Sequence, residues 1–542
     1  MGPHPVLRHF LERMGLRGIL RDVLGTGLHR GLDHAETLSI LVHNVLTSRG
    51  ALYRVAEWSS GIDPGALGLT AGQLARLNDD RLARSLDALV SARGRTVFFR
   101  LALVAIRDFE LSLERVHYDT TTVTVFGQYE TSKAEPKITY GHSKAHRPDL
   151  KQLLFGLNVT ADGAVPLLHG VHSGNRTDDS VHVQNVDQLR ELIARDDFVY
   201  VADSKLCTKG NLEHIAAYGG SFVTVLPRTR KEDQGFRDDL RAGRVHARWR
   251  RVLTRPSRRE EDGPNTFACT AQGPATTQEG YRIVWVRSSQ KVRRDAESRE
   301  GRLRQAEVEL AVLARKLGKG KLRSVKAVRE RARTLLEHFG VASFLHVEVA
   351  SHDVIEQRYL RRGRPKAGDP TKAIHSRRLD LRVTREKAAL RAEERVDGVF
   401  PLVTNHPKAS KREVIEMYKF QSHLEKRFAL TKSEYGVAPV FLKKPHRVAA
   451  LLHLYFIAIM CSALIEREVR KAMKDRGIET LPILPEGRPT HTPTTPRILE
   501  AFADVSWHEY REGDRVVAFP VKLTSTQETL LDLLGVPRTV YA

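Results

Sequence analysis

Between residues 115 and 215 the sequence changes its periodicity several times, in an order that few folds accommodate. "RVHYDTTTVTVFG" (115–127) is dense in β-branched residues from Thr120 to Val125 and reads as a strand. "LLFGLNVTADGAVPLLHGVHSG" (153–174) gives two more strand-like runs, and Asp162-Gly163 between them is a hairpin signal. A helical stretch follows over roughly 179–195. "FVYVADSKLCTKGNLEHI" (198–215) is then an apolar strand that ends in Asp203, with a helix starting near Lys209. Strand, strand, strand, helix, strand, helix is a mixed α/β order, which excludes an all-helical bundle and a β-sandwich.

The remainder of the 542 residues is arranged around this segment. Residues 1–110 read as helical. In "LNDDRLARSLDALV", Asn78 is placed to cap a helix whose Leu82, Leu86, Leu89 and Val90 share one face. From 220 to 395 the composition turns basic. Strands are expected in "SFVTVLPRTRKE" and "YRIVWVRSS", helix over 287–338 interrupted at Gly318 and Gly320, and a loop over 361–372. The α/β signal returns with "DGVFPLVTNHP" (397–407). The expected division is 1–110, 111–219, 220–395, 396–475 and 476–542.

Lys and Arg number 88 against 65 Asp and Glu, a formal net charge of +23. Such an excess points to a polyanionic partner, because cations that neutralise phosphates release counterions. The three cysteines, Cys207, Cys269 and Cys461, match no zinc spacing and no disulfide framework. They read as reduced thiols of a cytoplasmic protein. The longest apolar run, "VAALLHLYFIAIMCSALI" (448–465), contains His453 and is flanked by Arg447, Glu466 and Arg467, so a buried core helix is expected rather than a membrane span.

Three acids stand apart from the solvated ones. Asp119 lies inside the first strand, where a carboxylate is costly unless it is paired or holds a cation. Asp203 ends the strand "FVYVA", and ligands of α/β sheets collect at the carboxyl ends of strands. Glu425 lies in "YKFQSHLEKRFALTK" (418–432), which reads as one helix. There Tyr418, Glu425 and Lys432 are spaced by seven residues, with Gln421 between the first two, so all four fall on one stripe. Taken singly, each acid also fits a turn, cap or surface role. Three acids on three elements could instead converge to hold divalent cations through oxygen.

Together these segments resemble the DDE transposases of bacterial insertion sequences, the group whose third acid lies in a Y-x2-R-x3-E-x6-K signature. Tyr418, Gln421, Glu425 and Lys432 have its spacing, with Gln421 in place of the arginine. "VHYDTTTVTVFG" resembles the first-acid segment and "YVADSKLCTKGNL" the second. "GHSKAHRPDLKQLLFGLNV" and "VHSGNRTDD" resemble the stretches between them. The likeness spans roughly 105–465.

The resemblance implies an RNase H-like catalytic core, a mixed sheet flanked by helices, with a large insertion domain and an all-helical N-terminal domain. It implies Asp119, Asp203 and Glu425 as catalytic residues and ligands of two Mg²⁺ ions, with Mn²⁺ as the alternative. Tyr418, Gln421 and Lys432 would contact the backbone of the element's ends, with Lys419 or Lys426 supplying the charge that Gln421 lacks. The implied partners are DNA, both the terminal inverted repeats and the target, and a second copy of the chain on paired ends. The implied setting is the bacterial cytoplasm, associated with the nucleoid. The alternatives are a metal-dependent DNA nuclease without strand transfer and a non-catalytic protein that binds inverted repeats. Two further DNA contacts are considered: Trp285 stacking on a flipped base, against a core role, and Arg362 and Arg364 of "RRGRP" in a minor groove, against a flexible basic loop.

Overall fold

The computed structural model describes residues 1–25, 31–48, 51–90, 94–129, 135–144, 147–257, 263–360, 370–434, 442, 444–512 and 515–541. The chain forms two compact units. The first comprises Met1–Val225, Thr404–Ala409 and Glu413–Ala542; the second comprises Leu226–Val403 and Ser410–Arg412.

The first unit is built on a five-stranded mixed sheet: β1 (Arg115–Val125), β2 (Lys151–Thr160), β3 (Pro166–Ser173), β4 (Val199–Val201) and β5 (Ser221–Val225), in the order β3-β2-β1-β4-β5. β1, β2 and β3 form an antiparallel meander, and β4 and β5 run parallel to β1. The β2–β3 turn is the one expected at Asp162-Gly163. Gly163 has φ +81°, and a Cβ there would lie 2.8 Å from the Arg467 side chain, so both the backbone and the space require glycine. β1 and β2 are nearly continuous buried runs, as a sheet covered on both faces demands.

Helices cover the sheet. Helix His182–Ile193 precedes β4, and Lys209–Ala217 joins β4 to β5. Asn185 fixes the former by donating to Tyr200 Oη at 2.9 Å and to Asn158 at 2.8 Å. The apolar run around residue 450 lies inside helix Pro445–Asp475, and its most apolar window, of mean hydropathy 2.3, is 94% buried within the protein. The helix packs against β3, His34–Thr47 and Asp79–Val90. Each fully buried Leu, Ile or Phe along it contributes roughly 1.5–3 kcal/mol.

The helices between His4 and Asp108 belong to this same unit. Asn78 caps Asp79–Val90 through Arg81 N at 2.9 Å, and Leu82, Leu86 and Leu89 of that helix are buried. The C-terminal helices join the unit too, with Tyr541 Oη donating to Gly2 O at 2.9 Å.

The second unit holds the strands β6 (Arg250–Arg255), β7 (Asn265–Thr270) and β8 (Arg282–Ser288) as an antiparallel meander. Helices Ser289–Ala314 and Val325–His338 follow, interrupted as expected at Gly318. They share a stripe: Leu303, Ala306, Leu310 and Leu313 pack with Ala332 and Leu336. A buried pair, Arg299 to Asp397 through two hydrogen bonds of 2.8 Å, ties the first of these helices to the segment leading out of the unit.

Sequence periodicity missed the longest strands of this unit. β9 (Leu345–Tyr359) and β10 (Thr371–Arg385) form a two-stranded antiparallel ribbon, fifteen residues in each strand. The loop expected over 361–372 therefore begins where β9 ends, and its last two residues, Thr371 and Lys372, belong to β10. Arg362 and Arg364 lie outside the described residues.

Candidate active site

The sheet register brings the first two acids together. β1 and β4 pair in parallel as Arg115↔Val199, Val116↔Tyr200 and His117↔Val201, a constant offset of 84. Asp119 and Asp203 keep the same offset (203 − 119 = 84) two residues past the last paired residues, with Asp119 inside β1 and Asp203 just beyond the carboxyl end of β4. Each is partly exposed. The Asp203 carboxylate accepts from Lys205 N at 3.0 Å and caps the short turn Ser204–Leu206, while its carbonyl accepts from Thr224 Oγ1 at 2.6 Å. Asp203 is thus a cap residue and a site candidate at once.

The third acid arrives on a helix fastened to β1 at both ends. The stretch expected as one helix is divided at Phe420 into Lys411–Lys419 and Gln421–Ser433. In the second, Gln421 Nε2 donates to Tyr118 O at 2.7 Å, and Gln421 Oε1 lies 3.2 Å from His117 Nδ1. Eleven residues later, Lys432 Nζ donates to Thr121 Oγ1 at 2.7 Å. Glu425 lies on the same stripe between these two attachments and is exposed. The opposite side of the helix is anchored by Arg427. Its guanidinium meets Glu466 at 2.7 Å and donates to Ala164 O at 3.1 Å and Gly163 O at 2.8 Å, in the β2–β3 turn.

The Tyr418 phenol is partly buried and lies in the fields of acids from all three elements. Burial first, then the negative fields of Asp203, Glu425 and Asp119, push its phenol up to about 12. One side chain therefore senses all three acids, and its hydroxyl stays protonated at physiological pH. Burial holds the Lys432 ammonium below its ordinary value; Lys144 adds to this and Asp119 opposes it.

Lys144 is a site residue that the sequence did not disclose. Its Nζ lies 3.5 Å from Asp119 Oδ1 and donates to Thr120 O and Thr120 Oγ1, both at 2.8 Å. A loop lysine 25 positions from Asp119 carries no periodic signal. The available clue was the antiparallel β1–β2 return, which brings the connecting loop back toward Asp119.

The other expected contacts fall out differently. Gln421 is buried and its amide is engaged by β1, which corrects its expected place on the DNA backbone: the side chain holds the strand that carries Asp119. Trp285 is 1% exposed on β8, packs on Phe236 and donates to Pro274 O at 2.8 Å, so it is a core residue and presents no face to a base. Lys426 and Lys432 are exposed beside Glu425.

The three acids offer only carboxylate oxygens, the donor type that hard divalent cations take. Among the described residues, no group of three or more His, Cys, Asp or Glu side chains is placed to hold a metal ion. A cationic group does already lie against one of them, the Lys144 ammonium beside Asp119.

Residues 4–103 match a domain of unknown function (DUF4277). The match covers the N-terminal helices and stops short of all three acids. No curated protein matches the chain.

Proposed function

We propose that this protein is a DDE transposase of a bacterial insertion sequence, with an RNase H-like catalytic core. The observation that carries the reading is positional. Asp119 lies within β1 and Asp203 just past the end of the adjacent parallel strand β4, at the offset of their shared register, and the helix bearing Glu425 is fastened to the strand of Asp119 on either side of it. The strand order β3-β2-β1-β4-β5, with three antiparallel strands followed by two parallel ones, supports the RNase H-like assignment. The matched N-terminal domain is one commonly found in transposases, which supports the broader class.

When bound by Asp119, Asp203 and Glu425, two Mg²⁺ ions (or Mn²⁺) would make a water or a 3′-hydroxyl nucleophilic and take up charge on the leaving oxygen of a phosphodiester. The chain's own groups do the rest. Lys432 and Lys426 put positive charge beside Glu425, where a phosphate backbone would lie. Tyr418 offers a protonated hydroxyl among the three carboxylates. Gln421 and Arg427 hold the helix so that Glu425 stays level with the strand ends.

The substrates are the element's terminal inverted repeats and a target duplex, handled by two copies of the chain on paired ends. The test is incubation of the protein with precut ends, a plasmid target and Mg²⁺. Joined product is expected, and Asp119→Asn, Asp203→Asn and Glu425→Gln should each abolish it while leaving the melting temperature within a degree or two. Cutting without joining would identify a nuclease; undiminished joining by any of the three variants would refute the assignment.

A further inference from the structure

The β9–β10 ribbon changes character halfway along. In its ladder, directly opposed residues share a face, and odd-numbered residues oppose odd-numbered ones. At the base, the odd face carries Leu345, Val347, Val349, Leu379, Leu381 and Val383, which pack on the two helices of the second unit. Beyond Ser351 nothing within the unit covers it. Ile355 is 61% exposed and Tyr359 46%, on the same face. Eight residues per strand, His352–Tyr359 with Thr371–Arg378, thus extend past their helical support, a reach of about 26 Å at about 3.3 Å per residue.

The even face of this extension is cationic in an unusual way. Arg358 stands directly opposite Lys372, and Arg378 lies farther down the same face. Like charges in directly opposed positions destabilise a ladder unless an anion lies between them. Of the extension's acids, Asp353 is on the odd face, 3.6 Å from Arg377, and Glu356 alone shares the even face with the three cations, opposite Ile374.

We propose that this extension is an arm that binds duplex DNA through its even face, with Arg358, Lys372 and Arg378 on backbone phosphates. A two-stranded ribbon fits the B-form major groove, whereas the deep, narrow major groove of A-form RNA excludes it. Charge decides against a second copy of the chain, which at +23 offers the arm a surface of its own sign. The inference rests on the proposed function only in taking DNA to be the polyanion.

The test uses the full chain and a fluorescent DNA duplex of arbitrary sequence, with anisotropy measured across a salt series. The combined variant Arg358→Ala, Lys372→Ala, Arg378→Ala should keep the wild-type melting temperature and lose about tenfold in affinity. Its salt slope should fall by about 2.7, at about 0.9 per lost phosphate contact. An RNA duplex should compete poorly against the wild type. An unchanged affinity and slope, equal competition by RNA, or loss of self-association with DNA binding intact would each overturn the arm. Asp119→Asn should bind DNA with the wild-type slope, so failure of the catalytic reading leaves this result separately legible.

Discussion

Gln421 Nε2 donates to the carbonyl of Tyr118 at 2.7 Å, a bond that closes 303 residues of chain onto the strand of Asp119. Its amide oxygen faces His117 Nδ1, so one side chain satisfies two buried groups of β1. Gln421→Ala would remove both bonds, at about 0.5–1.5 kcal/mol for each. The expected outcome is a lower urea midpoint with an unchanged slope. End cleavage should fall further than stability does, because Glu425 loses one of its two tethers.

Arg427 and Glu466 are 5% and 3% exposed and 2.7 Å apart. Glu466 keeps Arg470 at 3.4 Å and the Thr495 N–H at 3.0 Å, so Arg427→Ala should cost less than the about 3–5 kcal/mol of a fully stranded buried charge. Arg427→Lys should recover only part of this, since a point charge cannot also reach Gly163 O and Ala164 O. Chemical denaturation of both variants gives the comparison.

Acid should weaken the fold through its buried histidines. Burial is the main cause that lowers His4 and His453 from 6.5 to about 4 and His117 to about 3. Between pH 6.5 and 4 the folded chain then binds fewer protons than the unfolded one. Stability is therefore full above 6.5 and falls as pH drops, by up to about 1.4 kcal/mol per pH unit for each histidine. Urea midpoints at pH 7.5, 6 and 5 should decline in that order, and His453→Gln should flatten the trend.

The Tyr418 phenol, pushed up to about 12 beside three carboxylates, gives a spectroscopic readout of the site. Asp203→Asn should lower the pH at which Tyr418 ionises, because it removes a negative neighbour. Ultraviolet difference titration against Tyr418→Phe isolates this one tyrosine. An unmoved transition would place Asp203 too far from the phenol to matter.

The strands of the first unit were legible because burial writes itself into composition. The threonine and valine run of β1, the Asp162-Gly163 turn and the apolar "FVYVA" are each demanded by a covered sheet. Asn78 was legible as a cap because its side chain alone decides that role. Gln421 misled: its spacing matches a DNA-contacting arginine, and spacing fixes which stripe a residue occupies without saying what that stripe meets. The ribbon was hidden for a related reason. "ASHDVIEQRY" (350–359) has an exposed surface on both sides, so no alternation survives to mark a strand. Lys144 could be placed only once β1 and β2 were paired.

The distance along the chain between the acids has a temporal consequence. A nascent chain carries Asp119 and Asp203 while 222 further residues (425 − 203) are still to be translated. At about 5–20 residues per second that interval lasts roughly 10–45 s. A polypeptide released early would possess both aspartates yet lack the glutamate and the amide that seats its helix, so under the proposed function a prematurely terminated product would lack a complete set of acids.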